Sequence, residues 1–249
     1  MQLTGKTILM AGGTSGIGLG LALRFHAAGN RVIVAGRREE ILQRIAADHP
    51  GIDTAVLDIA DPDSISSLRD ALLVPHPDLD VVVAMAGIME PEDLRDPSSL
   101  ATAERTVTTN LLGPLRLVSA FVQHLESRED AAIITVTSGL AYVPLPVAPT
   151  YSATKAALHS WTDSLRVHLG DTSVQVIELA PPLVRTTLMG NQDNEHGMPL
   201  EEFLDETMAL LAATPEARQI LVERVKHLRF AEATGQYDAV LDRQSMLPG

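Results

Sequence analysis

Short apolar runs alternate with amphipathic helical segments along most of the chain, and this alternation constrains the fold more than any other feature. The runs are rich in Val and Ile and lack polar alternation, which is typical of strands buried on both faces of a parallel sheet. Right-handed crossovers between such units predict an α/β fold, a doubly wound and mainly parallel sheet with helices on both faces. Strands are predicted at 7–11, 31–35, 54–57, 80–85, 132–137 and 174–179, and helices at 16–28, 38–48, 61–72, 101–125, 151–169, 200–213 and 215–228.

Nothing in the 249 residues marks a boundary between domains, so residues 1–249 are predicted to form a single domain. The pattern changes only after the sixth predicted strand, where two prolines precede a polar segment containing Met and Gly. Ligands bind at the carboxyl ends of strands in such sheets, so we expect a substrate lid at about 185–214. Alternatively, the segment is a solvated connection.

Composition excludes several classes of function. The net charge of −13, without a run of Lys or Arg, argues against binding nucleic acid. The chain has no Cys, and its eight His are dispersed without a His-x-x-x-His pair, so no metal site is predicted. No apolar run approaches the roughly 20 residues that span a bilayer, and the first residues lack the features of a secretion signal. A cytoplasmic protein that does not enter membranes is expected.

A glycine-rich turn joins the first predicted strand to the first predicted helix. In this position backbone amides at the helix N-terminus can bind the pyrophosphate of a dinucleotide, and glycines let the phosphates approach closely. The alternative is a tight strand-to-helix connection without a ligand. The residues predicted to bind are Gly12, Thr14, Ser15, Gly16, Ile17 and Gly18.

The spacing of Gly12, Gly16 and Gly18 resembles that of classical short-chain dehydrogenases/reductases, and the resemblance covers nearly the whole chain. It implies a Rossmann-type fold and an oxidoreductase that uses a nicotinamide cofactor. It also implies that Asp58 binds the adenine amino group with Ile59 beside the ring, although Asp58 could instead cap the following turn. Further cofactor contacts implied by the resemblance are Ala86, Gly87, Pro181, Val184 and Thr186.

The choice between the two nicotinamide cofactors depends on the end of the second strand. A carboxylate there binds the adenosine ribose of NAD and repels the additional phosphate of NADP. Here Gly36 is followed by Arg37 and Arg38, whose guanidiniums suit a 2′-phosphate. We therefore predict that NADP(H) is preferred, with NAD(H) as the alternative cofactor. Otherwise the two arginines merely solvate the start of a helix.

Tyr151 and Lys155 are four residues apart, so they share one face of a predicted helix. A phenol normally ionises near pH 10, and a neighbouring ammonium should lower its pKa. The pair predicts a proton-transferring acid/base. By the family resemblance, Lys155 also binds the nicotinamide ribose, Ser138 stabilises the substrate oxygen, and Asn110 helps to hold a water beside Lys155.

Each of these four residues also has a simpler explanation: a turn residue at Ser138, a polar helix residue at Asn110, and a surface pair at Tyr151 and Lys155. Taken together, they predict hydride transfer between nicotinamide and a carbonyl or secondary alcohol, with Tyr151 exchanging the proton. The alternatives are an epimerase or dehydratase with the same Tyr-Lys pair, and an NADP(H)-binding regulator or sensor without turnover.

The chain departs from the family pattern in three places. Ala84-Met85-Ala86-Gly87 replaces the usual Asn-Asn-Ala-Gly, and Pro181-Pro182 replaces Pro-Gly. The segment at about 230–249 is atypical because residues 235–240 are not followed by Val-Asp-Gly-Gly. A seventh strand and the tetramer interface of the family are therefore in doubt. A homodimer through the helices at 101–125 and 151–169 is expected, with a homotetramer as the alternative.

The predicted substrate pocket is mostly apolar, which favours a small, largely apolar ketone or alcohol. Arg185 is the one cation expected to point toward it. The pocket residues are Ser138, Leu140, Val143, Leu145, Pro182, Leu183 and Met189, and the wall extends to Met89, Tyr142, Pro144 and Leu188.

Overall fold

Seven parallel strands form one sheet in the order β3-β2-β1-β4-β5-β6-β7 in a computed structural model that describes residues 2–246. The strand order reverses between β1 and β4, where ligands bind in doubly wound sheets. The predicted fold class is thus confirmed. The strands are Thr7–Ala11 (β1), Arg31–Gly36 (β2), Ile52–Val56 (β3), Leu79–Ala84 (β4), Ala131–Val136 (β5), Val174–Leu179 (β6) and Gln219–Ile220 (β7).

Helices cover both faces of the sheet because side chains alternate along each buried strand. Ile8 and Met10 pack with Phe25 and Phe203 on one face, whereas Leu9 packs with the opposite helices. No helix within residues 2–246 combines the length and apolar character needed to cross a membrane. The helices are Gly16–Ala27 (α1), Glu39–Asp48 (α2), Pro62–Leu73 (α3), Ser99–Val107 (α4), Gly113–Glu126 (α5), Pro149–His168 (α6), Leu200–Ala213 (α7), Lys226–Arg229 (α8) and Tyr237–Ser245 (α9).

The predicted helix at 101–125 is not continuous. A π-helical turn, Thr108–Leu112, separates α4 from α5. Pro114 follows in the first turn of α5 and has no N–H to continue the α-helical ladder. Asn110 lies in this π turn, a type of local distortion that is common at functional sites.

The helix predicted at 215–228 is wrong. Its centre is β7, which extends the sheet beyond β6 through bonds from the Glu178 amide to the Arg218 carbonyl and from the Ala180 amide to the Ile220 carbonyl. The seventh strand, which the sequence left in doubt, is therefore present. A short apolar run is compatible with either a helix or a strand. Here pairing with the open edge of β6 makes the run a strand.

The C-terminal part of the chain packs against the loop that follows β5. Val143 is fully buried there with Leu228, Ala231 and Val240. The segment predicted to be atypical, 230–249, contains α9, and its residues 247–249 lie outside the described part of the chain.

Candidate active site

A cavity of about 420 Å³ opens at the carboxyl ends of the strands, beside the switch between β1 and β4. It brings together thirteen of the residues predicted to contact a cofactor. The other four predicted cofactor residues do not line it and are buried: Tyr151, Lys155, Pro181 and Val184. The predicted residues that line it are Gly12, Thr14, Ser15, Gly16, Ile17, Gly18, Arg37, Arg38, Asp58, Ile59, Ala86, Gly87 and Thr186. The lining also includes residues that were not predicted to contact the cofactor: Ala35, Gly36, Leu57, Met85, Ile88, Thr109, Thr187 and Leu188.

The glycine turn is packed tightly against the end of β4. Gly12 has φ +98°, and a Cβ there would lie 2.5 Å from the Ala86 nitrogen. At the start of α1, no side chain caps the helix from Ser15, and the first turn carries no acidic residue. Helix-terminal amides without such partners attract anions, so this end of the cavity fits a pyrophosphate.

The far end of the cavity is cationic. Arg37 and Arg38 are exposed, and the Arg38 Nη2 lies 3.4 Å from the Thr14 hydroxyl. A Cβ at Gly36 would lie only 2.6 Å from Thr14 Cγ2, so packing itself disfavours a carboxylate side chain at this position. Asp58 accepts a bond from the Ala60 amide at 2.9 Å, which caps the turn, and it also lines the cavity.

Asn110 and Lys155 face the same glycine. A Cβ placed on Gly87 would lie 3.3 Å from Asn110 Oδ1 and 3.7 Å from Lys155 Nζ. Asn110 is fully buried and exchanges two hydrogen bonds with the Ile88 backbone, at 2.8 and 2.7 Å. The π turn therefore carries a rigidly held amide beside the buried ammonium.

Tyr151 and Lys155 lie in the first turns of α6 and are buried, so they are not the exposed surface pair considered from the sequence. Burial raises the pKa of Tyr151 to about 12, and a hydrogen bond with the Ser138 side chain opposes that rise. Burial lowers the pKa of Lys155 to about 8. Its ammonium donates to the Val136 carbonyl at 2.8 Å and lies 5.6 Å from the centre of the Tyr151 ring.

The expected lowering of the Tyr151 pKa by Lys155 is therefore wrong for the chain by itself. Desolvation disfavours both charged forms, the phenolate and the ammonium, and the contribution that opposes it at Tyr151 comes from the hydrogen bond with Ser138. At neutral pH, Tyr151 holds its proton, which suits a group that donates a proton to a substrate oxygen.

Comparison with known proteins agrees with this geometry. The family model for short chain dehydrogenases matches residues 6–197. The chain belongs to the short-chain dehydrogenase/reductase family. It is accordingly an NAD(P)-dependent oxidoreductase that acts on a small molecule.

Among its relatives in this family, "Uncharacterized oxidoreductase DltE" of Bacillus subtilis (strain 168) is 39% identical, over 98% of each chain. A short chain dehydrogenase from Burkholderia cenocepacia J2315, solved in complex with NADP, has a TM-score of 0.84 over 100% of both chains at 24% identity. The 3-ketoacyl-(acyl-carrier-protein) reductase from Brucella melitensis, complexed with NADH, has a TM-score of 0.76 at 25% identity and covers 86% of this chain and 93% of its own. One of these neighbours binds NADP and the other binds NADH.

Some residues predicted for the substrate pocket of this dehydrogenase have other roles. Val143 belongs to the core, and the Tyr142 hydroxyl bonds to buried Glu178. Arg185 does not point into the cleft, because its guanidinium donates to the Asn194, Glu195 and Gly197 carbonyls of its own loop. Sequence patterns assign residues to a segment, but the packing of that segment decides which way each side chain points.

The remaining pocket residues lie in the segments after β5 and β6. Leu140 and Leu145 are partly buried, and their amides are held by the Ser138 and Ser152 hydroxyls at 3.1 Å. Leu183 is 39% exposed. Pro182 and Met189 are also partly exposed, and Met189 adopts the left-handed backbone, with φ 51°. Their contact with a substrate stays a prediction.

Glu92 contributes to the site through a contact that the sequence did not reveal. Its carboxylate accepts bonds from the Thr150 amide and hydroxyl, at 3.2 and 2.7 Å. Thr150 directly precedes Tyr151, and the N-cap residue of α6, Ala148, offers no polar side chain. Glu92 therefore caps the helix that carries Tyr151 from 58 residues away, a distance at which no local sequence signal exists.

Within residues 2–246, no three His, Asp or Glu side chains gather as they would around a metal ion. The site is built from a glycine turn, cations, hydroxyls and one amide. Such groups can bind a dinucleotide and move a proton to or from an oxygen.

Proposed function

We propose that the protein transfers a hydride between NADP(H) and a carbonyl or secondary alcohol of a small, largely apolar substrate. One observation carries the choice of cofactor: Arg37 and Arg38 line the cavity beside Gly36, where packing disfavours a carboxylate. A 2′-phosphate placed between two guanidiniums gains charge-assisted hydrogen bonds that the ribose hydroxyl of NAD cannot provide.

The proposed mechanism assigns proton chemistry to the protein and hydride chemistry to the cofactor. When bound, the nicotinamide supplies or accepts the hydride. Tyr151 donates its phenol proton to the substrate oxygen during reduction, and in the reverse direction its phenolate form accepts the proton of the substrate hydroxyl. Ser138, on the same side of the site, donates a hydrogen bond to that oxygen as charge develops on it. Lys155 and Asn110 face Gly87 and would hold the ribose and a water.

The proposed substrate class rests on the side chains that are predicted to line the substrate pocket. Leu140, Leu145, Leu183 and Met189 are apolar, and Arg185 is committed to loop carbonyls. A carboxylate or phosphate on the substrate would thus lose hydration without gaining Arg185 as a partner. We propose ketones, aldehydes or alcohols without a charged group as substrates.

The test is fluorescence titration of the purified protein with NADPH and NADH, followed by a panel of ketones and aldehydes in the same samples. We expect tighter binding of NADPH and its oxidation by at least one apolar carbonyl. Equal affinity for both cofactors would contradict the role of the arginines. Binding of NADPH without turnover on any carbonyl would support the regulator or sensor instead.

Three further expectations stay proposals. A lid is proposed for 185–199 alone, because Phe203, Leu204, Thr207 and Leu211 anchor α7 in the core. A cytoplasmic location is proposed from the sequence. A homodimer through α4, α5 and α6 is supported by exposed apolar side chains at Leu100, Leu112 and Val167, and light scattering on the purified protein tests it.

A further inference from the structure

Four side chains from three parts of the fold converge on the carboxylate of Glu178 in β6: the segment after β5, the helix α6 and the strand β7. Glu178 is fully buried. It accepts bonds from the Thr137 hydroxyl at 2.6 Å, the Tyr142 hydroxyl at 3.2 Å, His159 Nδ1 at 2.9 Å and Gln219 Nε2 at 2.6 Å. These four donors occupy nearly all the acceptor sites of the carboxylate. None of the four is a predicted catalytic residue.

The charge of Glu178 is compensated inside the protein. Burial alone would raise the pKa of its carboxyl, but the bonds from His159, Thr137 and Gln219 reverse that effect and lower it. The bond to Glu178 in turn raises the pKa of His159. A buried carboxylate with this many donors holds its neighbours in one geometry, because any rearrangement leaves a charge or a hydroxyl unpaired.

The partners of Glu178 flank the catalytic groups along the chain. Thr137 directly precedes Ser138, and Tyr142 follows it by four residues. His159 lies on α6, one helical turn beyond Lys155 and two turns beyond Tyr151. One carboxylate thus joins the segment that carries Ser138 to the helix that carries the other two groups.

The network is closed on its outer side by the C-terminal part of the chain. The Arg229 guanidinium lies 4.7 Å from the centre of the Tyr142 ring, and its Nε donates to Gln219 Oε1 at 3.2 Å. Gly139 fits beneath α8 only because it has no side chain, since a Cβ there would lie 2.6 Å from Leu228 Cδ1. The Ser138 loop, residues 138–143, is therefore held at both ends.

We propose that Glu178 is a positioning residue, which holds the Ser138 hydroxyl in register with Tyr151 for proton transfer. It touches neither substrate nor cofactor and acts through Thr137, Tyr142 and His159. The proposal rests on the proposed function, because it assigns Glu178 to the geometry of that reaction.

The test compares Glu178→Gln with a matched control, Asp80→Asn. Asp80 is also a buried carboxylate, bonded to Arg128 and to the Thr7 amide, but it lies at the amino end of the central strand β4, whereas Glu178 lies near the carboxyl end of β6. Both variants should lose stability. Only Glu178→Gln should lower kcat, by about tenfold to a hundredfold, while NADPH affinity in fluorescence titration stays near that of the wild type. Glu178→Asp, which keeps the charge, should recover part of the kcat.

Hydrogen exchange measured by mass spectrometry provides a readout without turnover. The backbone amides of residues 138–143 should exchange faster in Glu178→Gln than in the wild type. In Asp80→Asn their exchange rate should not change. If Glu178→Gln does not fold, Tyr142→Phe removes one donor and should show the same two changes to a smaller degree.

Equal kcat in Glu178→Gln and the wild type, or an equal loss in Asp80→Asn, would overturn the proposal. So would unchanged exchange at 138–143. If the wild type reduces no carbonyl in the panel, the proposed function fails by itself, and the exchange of the Ser138 loop still decides whether Glu178 holds it.

Discussion

The two sides of the cleft carry different kinds of predicted functional groups. Beside β1 to β3, backbone amides and exposed guanidiniums are predicted to bind the cofactor. Beside β5 and β6, buried side chains are predicted to move the proton. Arg37 and Arg38 project into solvent, but Lys155 is 4% exposed and Tyr151 is 8% exposed. A bound phosphate can order exposed guanidiniums when it arrives. Groups that move a proton need their geometry before the substrate arrives, because realignment during the reaction would raise the barrier.

The largest expected effect tests the buried side. Tyr151→Phe removes only the hydroxyl, so carbonyl reduction should fall by about 10²- to 10⁴-fold while NADPH binding persists. Steady-state kinetics and fluorescence titration measure the two quantities. Full activity in this variant would remove Tyr151 from the mechanism and would leave the buried side without an acid.

A second prediction uses pH to separate the buried groups. Tyr151, with a pKa of about 12, stays protonated over the usable range, whereas Lys155, with a pKa of about 8, is charged below that value and neutral above it. If the ammonium is required, kcat/KM for reduction should be level below about pH 8 and should fall about tenfold per pH unit above it. Lys155→Arg stays charged and should lose this breakpoint. A wild-type profile that is level to pH 10 would contradict the role of the charge.

A third prediction tests the open side, where the effect should be limited to one cofactor. Arg37→Ala should weaken NADPH binding by about tenfold to a hundredfold and NADH binding much less, because charge-assisted bonds contribute about 1.5–3 kcal/mol. Arg44→Ala, which removes an exposed cation from α2 away from the cavity, is the control. The same loss for both cofactors would refute recognition of the 2′-phosphate.

The smallest expected effect concerns the cap on α6, the helix that carries Tyr151. Glu92→Ala should lower the free energy of unfolding by about 1 kcal/mol, because the α6 terminus loses its acceptor. Glu90→Ala removes a carboxylate two residues away that pairs with exposed Arg105, and it should change stability less. Urea denaturation of both variants measures the difference, and an equal loss would show that Glu92 acts only as a surface charge.

Local patterns sufficed for most of the sheet. The run Thr7–Ala11, apolar apart from Thr7, predicted β1 with its observed bounds, since a strand buried on both faces needs a nearly unbroken apolar run. β7 could not be predicted in this way, because two residues carry no periodicity and the edge of β6 selected them. The π turn at Thr108–Leu112 was also missed, since periodicity over 101–125 is nearly the same with one residue inserted.

The sequence by itself determined the glycine turn, the pair of arginines after β2 and the order of Ser138, Tyr151 and Lys155. These features depend on residue type and on spacing within one strand, turn or helix. Only the tertiary structure decided that Glu92 caps the helix of Tyr151 and that Glu178 joins Thr137 to His159. Such contacts join residues 19 to 58 positions apart, and hydrogen bonds reach across those gaps only after the core has packed the elements side by side.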